Sequence, residues 1–228
     1  MGRGSSKLEE SNEKPKGGGG SGSGREPVTV QPFRLAPQDL KAAIGSKGRQ
    51  LSVKKAMEGA NPFYSGGAQG DFSANCQRAV IAYEFRRRGY DVIALPTYTG
   101  DTLPSGNRWR GAFKGAKEIN VGSTSPKATQ ANLEKQMKSF GRGSRGIVQI
   151  PGHVFNVENV NGKIRYVDAQ TNTVYNSNNV FSRLGRQAAQ VKLIRTDNLR
   201  MSDRAKKSVT PVTNTVKRII RSRKRRNR

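Results

Sequence analysis

Residues 154–168 carry the strongest local fold signal in the chain: two alternating segments on either side of Asn161-Gly162. An Asn-Gly pair in this position predicts a β-hairpin with a two-residue type I′ turn. The register set by this turn pairs Val160 with Lys163, Val157 with Tyr166, Phe155 with Asp168 and His153 with Gln170. Because strand side chains alternate, His153, Phe155, Asp168 and Gln170 are expected on one face. Asp168 then becomes the diagonal cross-strand neighbour of His153, roughly 7 Å away at the backbone.

Cys76 is the only cysteine, and it begins the most regular helical pattern in the sequence, residues 75–88, which Gly89 ends. Asn75 is a favoured N-cap residue, so Cys76 is expected in the first turn, where backbone N–H groups lack intrahelical acceptors. Those donors and the helix dipole stabilise an anion, and thiolate is the nucleophilic form of cysteine. The alternative is a small buried cysteine that only packs. With the single histidine and Asp168, the sequence provides a thiol, an imidazole and a carboxylate.

Four sequence blocks resemble a known family. They are Asn-Pro-Phe-Tyr (61–64), the block 75–96 around Cys76, Gly-His-Val-Phe-Asn-Val-Glu (152–158) and Tyr-Val-Asp-Ala-Gln-Thr (166–171). They are similar to the nucleophile, His and Asp-x-Gln blocks of the papain-fold toxin family, whose members are described as glutamine deamidases. This family is common among bacterial polymorphic toxins and phage-encoded proteins. The resemblance covers about residues 58–196.

The resemblance implies an α+β, papain-like core and a role for each residue of the triad. Cys76 would be the nucleophile, His153 the general base and acid, and Asp168 the orienting carboxylate. The Cys76 backbone N–H is expected to stabilise the oxyanion, with Gln69 or Asn75 as a possible side-chain donor. Gln170 is the alternative orienting residue, or a substrate contact. Asn75 could equally be only a helix cap.

The remaining patterns agree with a helix packed on an antiparallel sheet. They predict a strand at 91–95, a helix from Ser125-Pro126 to Phe140, and strands at 147–150 and 191–194. A helix that carries the thiol would then pack on a sheet that carries the base.

The cysteine and histidine content limits the chemistry. One cysteine excludes an intramolecular disulfide and a cysteine-rich zinc site, and one histidine leaves no usual metal constellation. We therefore expect no metal or other cofactor, and a protein able to act in a reducing cytosol. The sequence has no apolar run near 18 residues and no signal-peptide pattern. These features suit an effector delivered into a host cytosol, or a protein packaged in a phage particle.

Charge and amino-acid composition divide the chain into four predicted segments: a disordered Gly/Ser-rich leader (1–26), an N-terminal extension (27–70), a papain-like catalytic domain (71–200) and a basic tail (201–228). The net charge is +26, and eight of the last twelve residues are Lys or Arg. These residues are expected to bind DNA, RNA or an anionic membrane without sequence readout, and the tail to stay disordered until such a polyanion is present. They are Lys217, Arg218, Arg221, Arg223, Lys224, Arg225, Arg226 and Arg228.

Three functions compete at this point. The first is a toxin or effector that deamidates a glutamine side chain of a target protein. The second is a papain-like cysteine protease, since attack on a backbone amide uses the same groups. The third is a non-enzymatic basic phage or virion protein that binds nucleic acid. A reactive Cys76 would distinguish the first two from the third.

Overall fold

The computed structural model describes residues 44–64, 66, 72–97, 105–175 and 180–226, all within one compact unit, Leu35–Arg228. Its α-helices are α1 (Val53–Ala60), α2 (Cys76–Arg87), α3 (Pro126–Ser139), α4 (Asp203–Lys206) and α5 (Asn214–Arg226). Its strands are β1 (Val92–Ala94), β2 (Ile119–Asn120), β3 (Arg145–Ile150), β4 (His153–Val160), β5 (Lys163–Asp168), β6 (Thr173–Tyr175), β7 (Lys192–Arg195) and β8 (Val209–Pro211). The predicted leader, half of the predicted extension and Gln69 lie outside the described residues.

The main sheet is antiparallel, and its described strands run in the order β2-β7-β3-β4-β5-β6. Both faces are covered. Val154 and Val167 belong to a core shared with α1 and α2. Their neighbours Phe155 and Tyr166 belong to a second core that includes Leu133 of α3. Because alternate strand residues face opposite sides, the sheet lies between two helical layers, and the fold is α+β as predicted.

The β4–β5 hairpin has the predicted turn. Asn161 and Gly162 adopt φ angles of 53° and 90°, as a type I′ turn requires. The predicted pairs Val160–Lys163 and Val157–Tyr166 are confirmed. The paired ladder ends at Asn156–Val167, however, so the predicted pairs of Phe155 with Asp168 and His153 with Gln170 lie beyond it. The reason is that β5 ends at Asp168, and the chain turns through residues 169–172 into β6.

Helix α2 begins at Cys76 and ends beside Gly89, as the sequence pattern predicts. Gly89 has a φ angle of 99°, and a Cβ there would lie 2.3 Å from the Gly48 carbonyl oxygen, so this position requires glycine. Most of the helix is buried, including its charged residues Arg78, Glu84 and Arg86. Tyr83 donates a 2.7 Å hydrogen bond to Glu158 of β4, and Asn156 of β4 donates to the Val80 carbonyl. The helix is therefore held against the strand that begins at His153.

Buried ion pairs strengthen this attachment. Glu84 is fully buried and accepts hydrogen bonds from Arg88 in its own helix and from Arg145 of β3, at 2.8 and 2.9 Å. Arg87 donates to both carboxylate oxygens of Glu158. Each buried carboxylate thus has a charged partner, which is the condition under which such groups are tolerated in a protein interior.

The second predicted helix is confirmed. Helix α3 begins after Ser125, whose hydroxyl accepts from the Ala128 N–H, with Pro126 in the first turn. It ends at Ser139, one residue before the predicted end at Phe140. Of the described helices, none is both long and apolar enough to cross a bilayer.

The segment after residue 200 differs from the predicted tail. Strand β8 pairs antiparallel with β1 in a separate two-stranded sheet, which is where the predicted strand at 91–95 lies. Ala205, Ser208 and Val209 are fully buried, so residues 201–211 belong to the core. Residues 214–226 form helix α5, and Val216 is buried beside Ile93 and Phe63. The apolar contact with β1 accounts for a helix where disorder was expected.

Candidate active site

His153 and Asp168 are joined by a hydrogen bond at one end of the sheet. His153 is the first residue of β4 and Asp168 the last residue of β5. The His153 Nε2 and Asp168 Oδ2 atoms are 2.8 Å apart. The diagonal relation expected from the hairpin register is therefore confirmed, although the ladder itself stops short of both residues.

Asp168 is almost fully buried, at 1% exposure, and its carboxylate has several donors. Oδ2 accepts from His153 and from the Tyr175 hydroxyl, at 2.8 and 2.5 Å. Oδ1 accepts from the backbone N–H groups of Gln170 and Thr171, at 3.0 and 3.3 Å. Burial favours the neutral acid, but the hydrogen bond and positive charge of His153, and then Tyr175, hold the pKa of Asp168 below its usual 3.8.

Cys76 is the second group that raises the pKa of the His153 ring. Because Nε2 is bound to Asp168, Nδ1 is the ring nitrogen that remains for the thiol. The structure joins His153 to Asp168 directly, and Cys76, at the start of α2, is near enough to the ring to raise its pKa.

The surroundings of His153 favour its charged form. Burial lowers the pKa of the imidazole, but hydrogen bonds to Asp168 and Cys76, together with the negative charges of both groups, raise it to about 10. A pKa in this range favours an imidazolium at neutral pH, hydrogen-bonded to the Asp168 carboxylate. Such a ring can donate a proton to a leaving group and can stabilise a thiolate.

A family comparison agrees with this geometry. Residues 74–173 match the model of the family papain fold toxin 1, glutamine deamidase. The resemblance found in the sequence is confirmed. The matched segment contains Cys76, His153 and Asp168. No curated protein and no solved structure gives a match.

Within the matched segment, Asn75 differs from its two predicted roles. It occupies the N-cap position of α2, but its side chain makes no capping hydrogen bond. Its Nδ2 group instead donates to Asn61 Oδ1 and to the Leu95 carbonyl, at 3.1 and 3.2 Å. A carboxamide nitrogen has two protons, so Asn75 has none left for an oxyanion. The backbone N–H of Cys76, in the first turn of the helix, remains the candidate donor.

Gln170 contacts the nucleophile side of the site instead of the His153 ring. Its Nε2 donates to the Ser73 carbonyl, three residues before Cys76, and its backbone N–H donates to Asp168. The sequence missed Tyr175, whose hydroxyl reaches Asp168 from β6. A tyrosine two residues into a short strand after the Asp-x-Gln block gives no distinctive sequence signal.

The described residues contain no group of three His, Cys, Asp or Glu arranged to hold a metal ion.

The basic residues of the C-terminal segment lie on α5. Its exposed face carries cationic side chains that line a groove of about 570 Å³, namely Lys217, Arg218, Arg221 and Arg225. Arg223, Lys224 and Arg226 belong to the same helix, but their side chains lie outside the described part of the structure, as does Arg228. Four of the eight predicted cations therefore share one surface, which we call the α5 basic face.

The three consecutive arginines of α2 do not form a comparable surface. Arg86 pairs with Asp91, Arg87 with Glu158 and Arg88 with Glu84, at 2.7, 2.6 and 2.8 Å. Their side chains are 9%, 13% and 20% exposed. Arg86–Arg88 therefore offer little open surface for phosphate binding.

Proposed function

We propose that this chain is a cysteine-dependent glutamine deamidase of the toxin type, which hydrolyses the side-chain amide of a glutamine in a target protein. The observation that carries the proposal is His153, the only histidine in the chain, whose ring binds Asp168 and whose pKa is raised by both Asp168 and Cys76. The family match over residues 74–173 supports the reaction class independently.

The first half of the reaction is acyl transfer to the thiol. The Cys76 thiolate attacks the carboxamide carbon, and the carbonyl electron pair moves to oxygen to give a tetrahedral oxyanion. The Cys76 N–H in the first turn of α2 donates to this oxyanion. The intermediate then collapses, and the departing nitrogen takes a proton from the His153 imidazolium, so that ammonia leaves and a thioester remains.

The second half is hydrolysis of the thioester. His153 is now neutral and takes a proton from water, whose oxygen attacks the thioester carbon. Collapse of the second tetrahedral intermediate breaks the C–S bond and releases a glutamate side chain and the Cys76 thiolate. Asp168 stabilises the imidazolium through its 2.8 Å hydrogen bond and holds the ring in orientation during both halves.

Cysteine proteolysis is the closest alternative, because the same groups can attack a backbone amide. The products separate the two reactions. A deamidase converts glutamine to glutamate and releases ammonia, whereas a protease divides the target chain. Peptide mapping of one treated sample therefore tests both.

The direct test is treatment of cell lysates with purified full-length protein, followed by mass spectrometry of peptides. We expect glutamine-to-glutamate changes in particular proteins, and we expect them to disappear with Cys76→Ala and with His153→Ala. New chain ends that depend on Cys76, without glutamate formation, would assign the protein to the proteases. Unchanged peptides would contradict both enzymatic readings.

Delivery follows from the same proposal. A toxin of this family acts inside a target cell, and a nucleophile that is the only thiol of its chain suits a reducing cytosol. We therefore propose an effector delivered into host cytosol, with carriage inside a phage particle as the other route. The target protein is recognised by surfaces around Cys76.

We propose a second activity, binding of a nucleic-acid backbone by the α5 basic face. Lys217, Arg221 and Arg225 are four residues apart, which aligns them along one side of the helix at intervals of about 6 Å. Arg218 lies beside this row and lines the same groove. Such a row neutralises successive phosphates without reading bases.

The test is binding of a duplex DNA oligonucleotide at several salt concentrations. The variant replaces Lys217, Arg218, Arg221 and Arg225 with Gln. The control removes the same charge from four exposed positions elsewhere, Lys135, Lys138, Lys163 and Arg165. Each lost phosphate contact should reduce the slope of log affinity against log salt by about 0.9. Equal losses in variant and control would contradict a site on α5, and preferential binding to anionic vesicles would identify a membrane instead.

A further inference from the structure

Asn61 is a fully buried polar residue that lies outside the triad. It follows α1 and begins the Asn-Pro-Phe-Tyr block of the sequence. A buried carboxamide is costly unless its donors and acceptor are satisfied, so its partners indicate which segments it joins.

The Asn61 side chain bonds to both halves of the site. Its Nδ2 group donates to the Asn75 side chain and the Phe72 carbonyl, at 3.1 and 2.9 Å, on the nucleophile side. The same Nδ2 group also lies 2.8 Å from the Gln170 carbonyl oxygen, in the turn after Asp168, so its two protons are shared among three acceptors. The Asn75 Nδ2 group donates back to Asn61 Oδ1, which closes an amide–amide pair.

Two further bonds connect the same segments. The Gln170 side chain donates to the Ser73 carbonyl, and Asn172 Nδ2 donates to the Asn61 carbonyl at 3.3 Å. The Gln170 N–H also donates to Asp168. A chain of hydrogen bonds therefore runs from the Asp168 carboxylate through Gln170 and Asn61 to Asn75, the residue before Cys76.

We infer that Asn61 is a positioning residue that sets the separation of Cys76 from the His153–Asp168 pair. This inference rests on the proposed function of the triad. Cys76 stands on a helix, and its two partners stand on strands, so the hydrogen bond between thiol and imidazole depends on how the loop before α2 meets the turn after β5. Asn61 lies between this loop and this turn and holds them together through its hydrogen bonds. A misplacement of about 1 Å at such a site can lower a rate by two orders of magnitude.

The test measures alkylation of Cys76 by iodoacetamide across pH, in the full chain and without any need for a substrate. The rate reports on one residue, because Cys76 is the only thiol. We expect Asn61→Ala to reduce the rate constant at neutral pH by roughly 10–100-fold and to change the shape of the pH profile. The matched control is Asn159→Ala, which removes another buried amide that bonds to Met137 and Gly162, away from the triad.

The outcomes separate this inference from the proposed function. Slow alkylation of Cys76 in Asn61→Ala, together with fast alkylation in the wild type and in Asn159→Ala, supports the positioning role. An unchanged rate and pH profile in folded Asn61→Ala overturns it and leaves the triad intact. A wild-type thiol no faster than free cysteine overturns the proposed function itself. If Asn61→Ala does not fold, Asn75→Ala removes the partner of the amide pair, and a fast thiol there overturns the inference.

Discussion

The ionisation of His153 is the property of the site that can be tested most directly. The protein contains one histidine, so its imidazole gives a single Hε1 resonance in a proton NMR spectrum. The structure predicts that this resonance titrates with a pKa of about 10. An ordinary histidine has a value of 6.5, and at about 1.4 kcal/mol per pH unit the difference corresponds to roughly 5 kcal/mol in favour of the imidazolium.

Asp168 and Cys76 together account for this difference in free energy, and each can be replaced by mutation. Asp168→Asn keeps the shape of the side chain and removes its charge, so the pKa of His153 should fall by roughly 1–3 pH units. Cys76→Ala should lower it as well. Because both partners act on one ring, the two effects should not add in the double variant. Asp203→Asn is the control, since this carboxylate is 89% exposed and lies on α4.

The same shift determines how stability depends on pH. The folded-state pKa of His153 lies above its unfolded value, so the folded state binds the proton more tightly. Its contribution to the free energy of unfolding is complete below pH 6.5, declines as pH rises, and is lost above about pH 10. Asp168 acts in the opposite direction, because its folded pKa is depressed. Its contribution is present above about pH 3.8 and is lost as pH falls through the folded value.

The measurement is a titration of the Hε1 resonance from pH 5 to about 11, with melting curves at matching pH values. A wild-type midpoint below pH 7 would refute the reasoning, because the ring would then be neutral when the enzyme acts. A midpoint that stays high in both Asp168→Asn and Cys76→Ala would show that neither group sets it. The expected result is a high value in wild type and in Asp203→Asn only.

Three further outcomes are expected. Asp168→Asn should fold and lose roughly 10²–10⁴-fold in turnover, measured as glutamate formation in a target peptide, whereas full activity would contradict its role. Glu84→Ala should lower the free energy of unfolding in urea by roughly 3–5 kcal/mol, because it leaves two partly buried arginines without their carboxylate partner, while exposed Glu58→Ala should change it by less than about 1 kcal/mol. A chain ending at Arg200 should fail to fold because it lacks β8, whereas a chain ending at Thr213 should fold and lose nucleic-acid binding, as circular dichroism and the DNA assay would show.

The hairpin and its carboxylate could be predicted because their information is local. Asn161-Gly162 requires one turn type, and that turn fixes the register for several residues on each side. The predicted pairing of His153 with Gln170 was wrong, because the prediction extended the strand register of the hairpin beyond Asp168, where β5 ends. Nothing local in the sequence shows that the strand stops at Asp168, since the turn that follows is stabilised by the carboxylate itself.

The β1–β8 pair could not be predicted for the opposite reason. Val92–Ala94 and Val209–Pro211 are far apart in the chain, and each is only three residues long. The segment after residue 200 is rich in Lys and Arg, and such a high content of charged residues predicts a solvent-exposed tail. Yet apolar residues are scattered through this segment, and Ala205, Val209 and Val216 among them are buried.

The segment from Asn61 to Asn75 connects the two activities proposed for this protein. Asn61 joins the start of α2 to the turn after Asp168, and Phe63, two residues later, packs on Phe72 with ring centroids 5.2 Å apart. The same two rings cluster with Val216 and Ile220 of α5. The helix that carries the basic face is thus anchored on the stretch that leads to Cys76. A nucleic acid bound to α5 would therefore hold the enzyme by a surface that adjoins the nucleophile segment, and the chain ending at Thr213 separates binding from thiol reactivity.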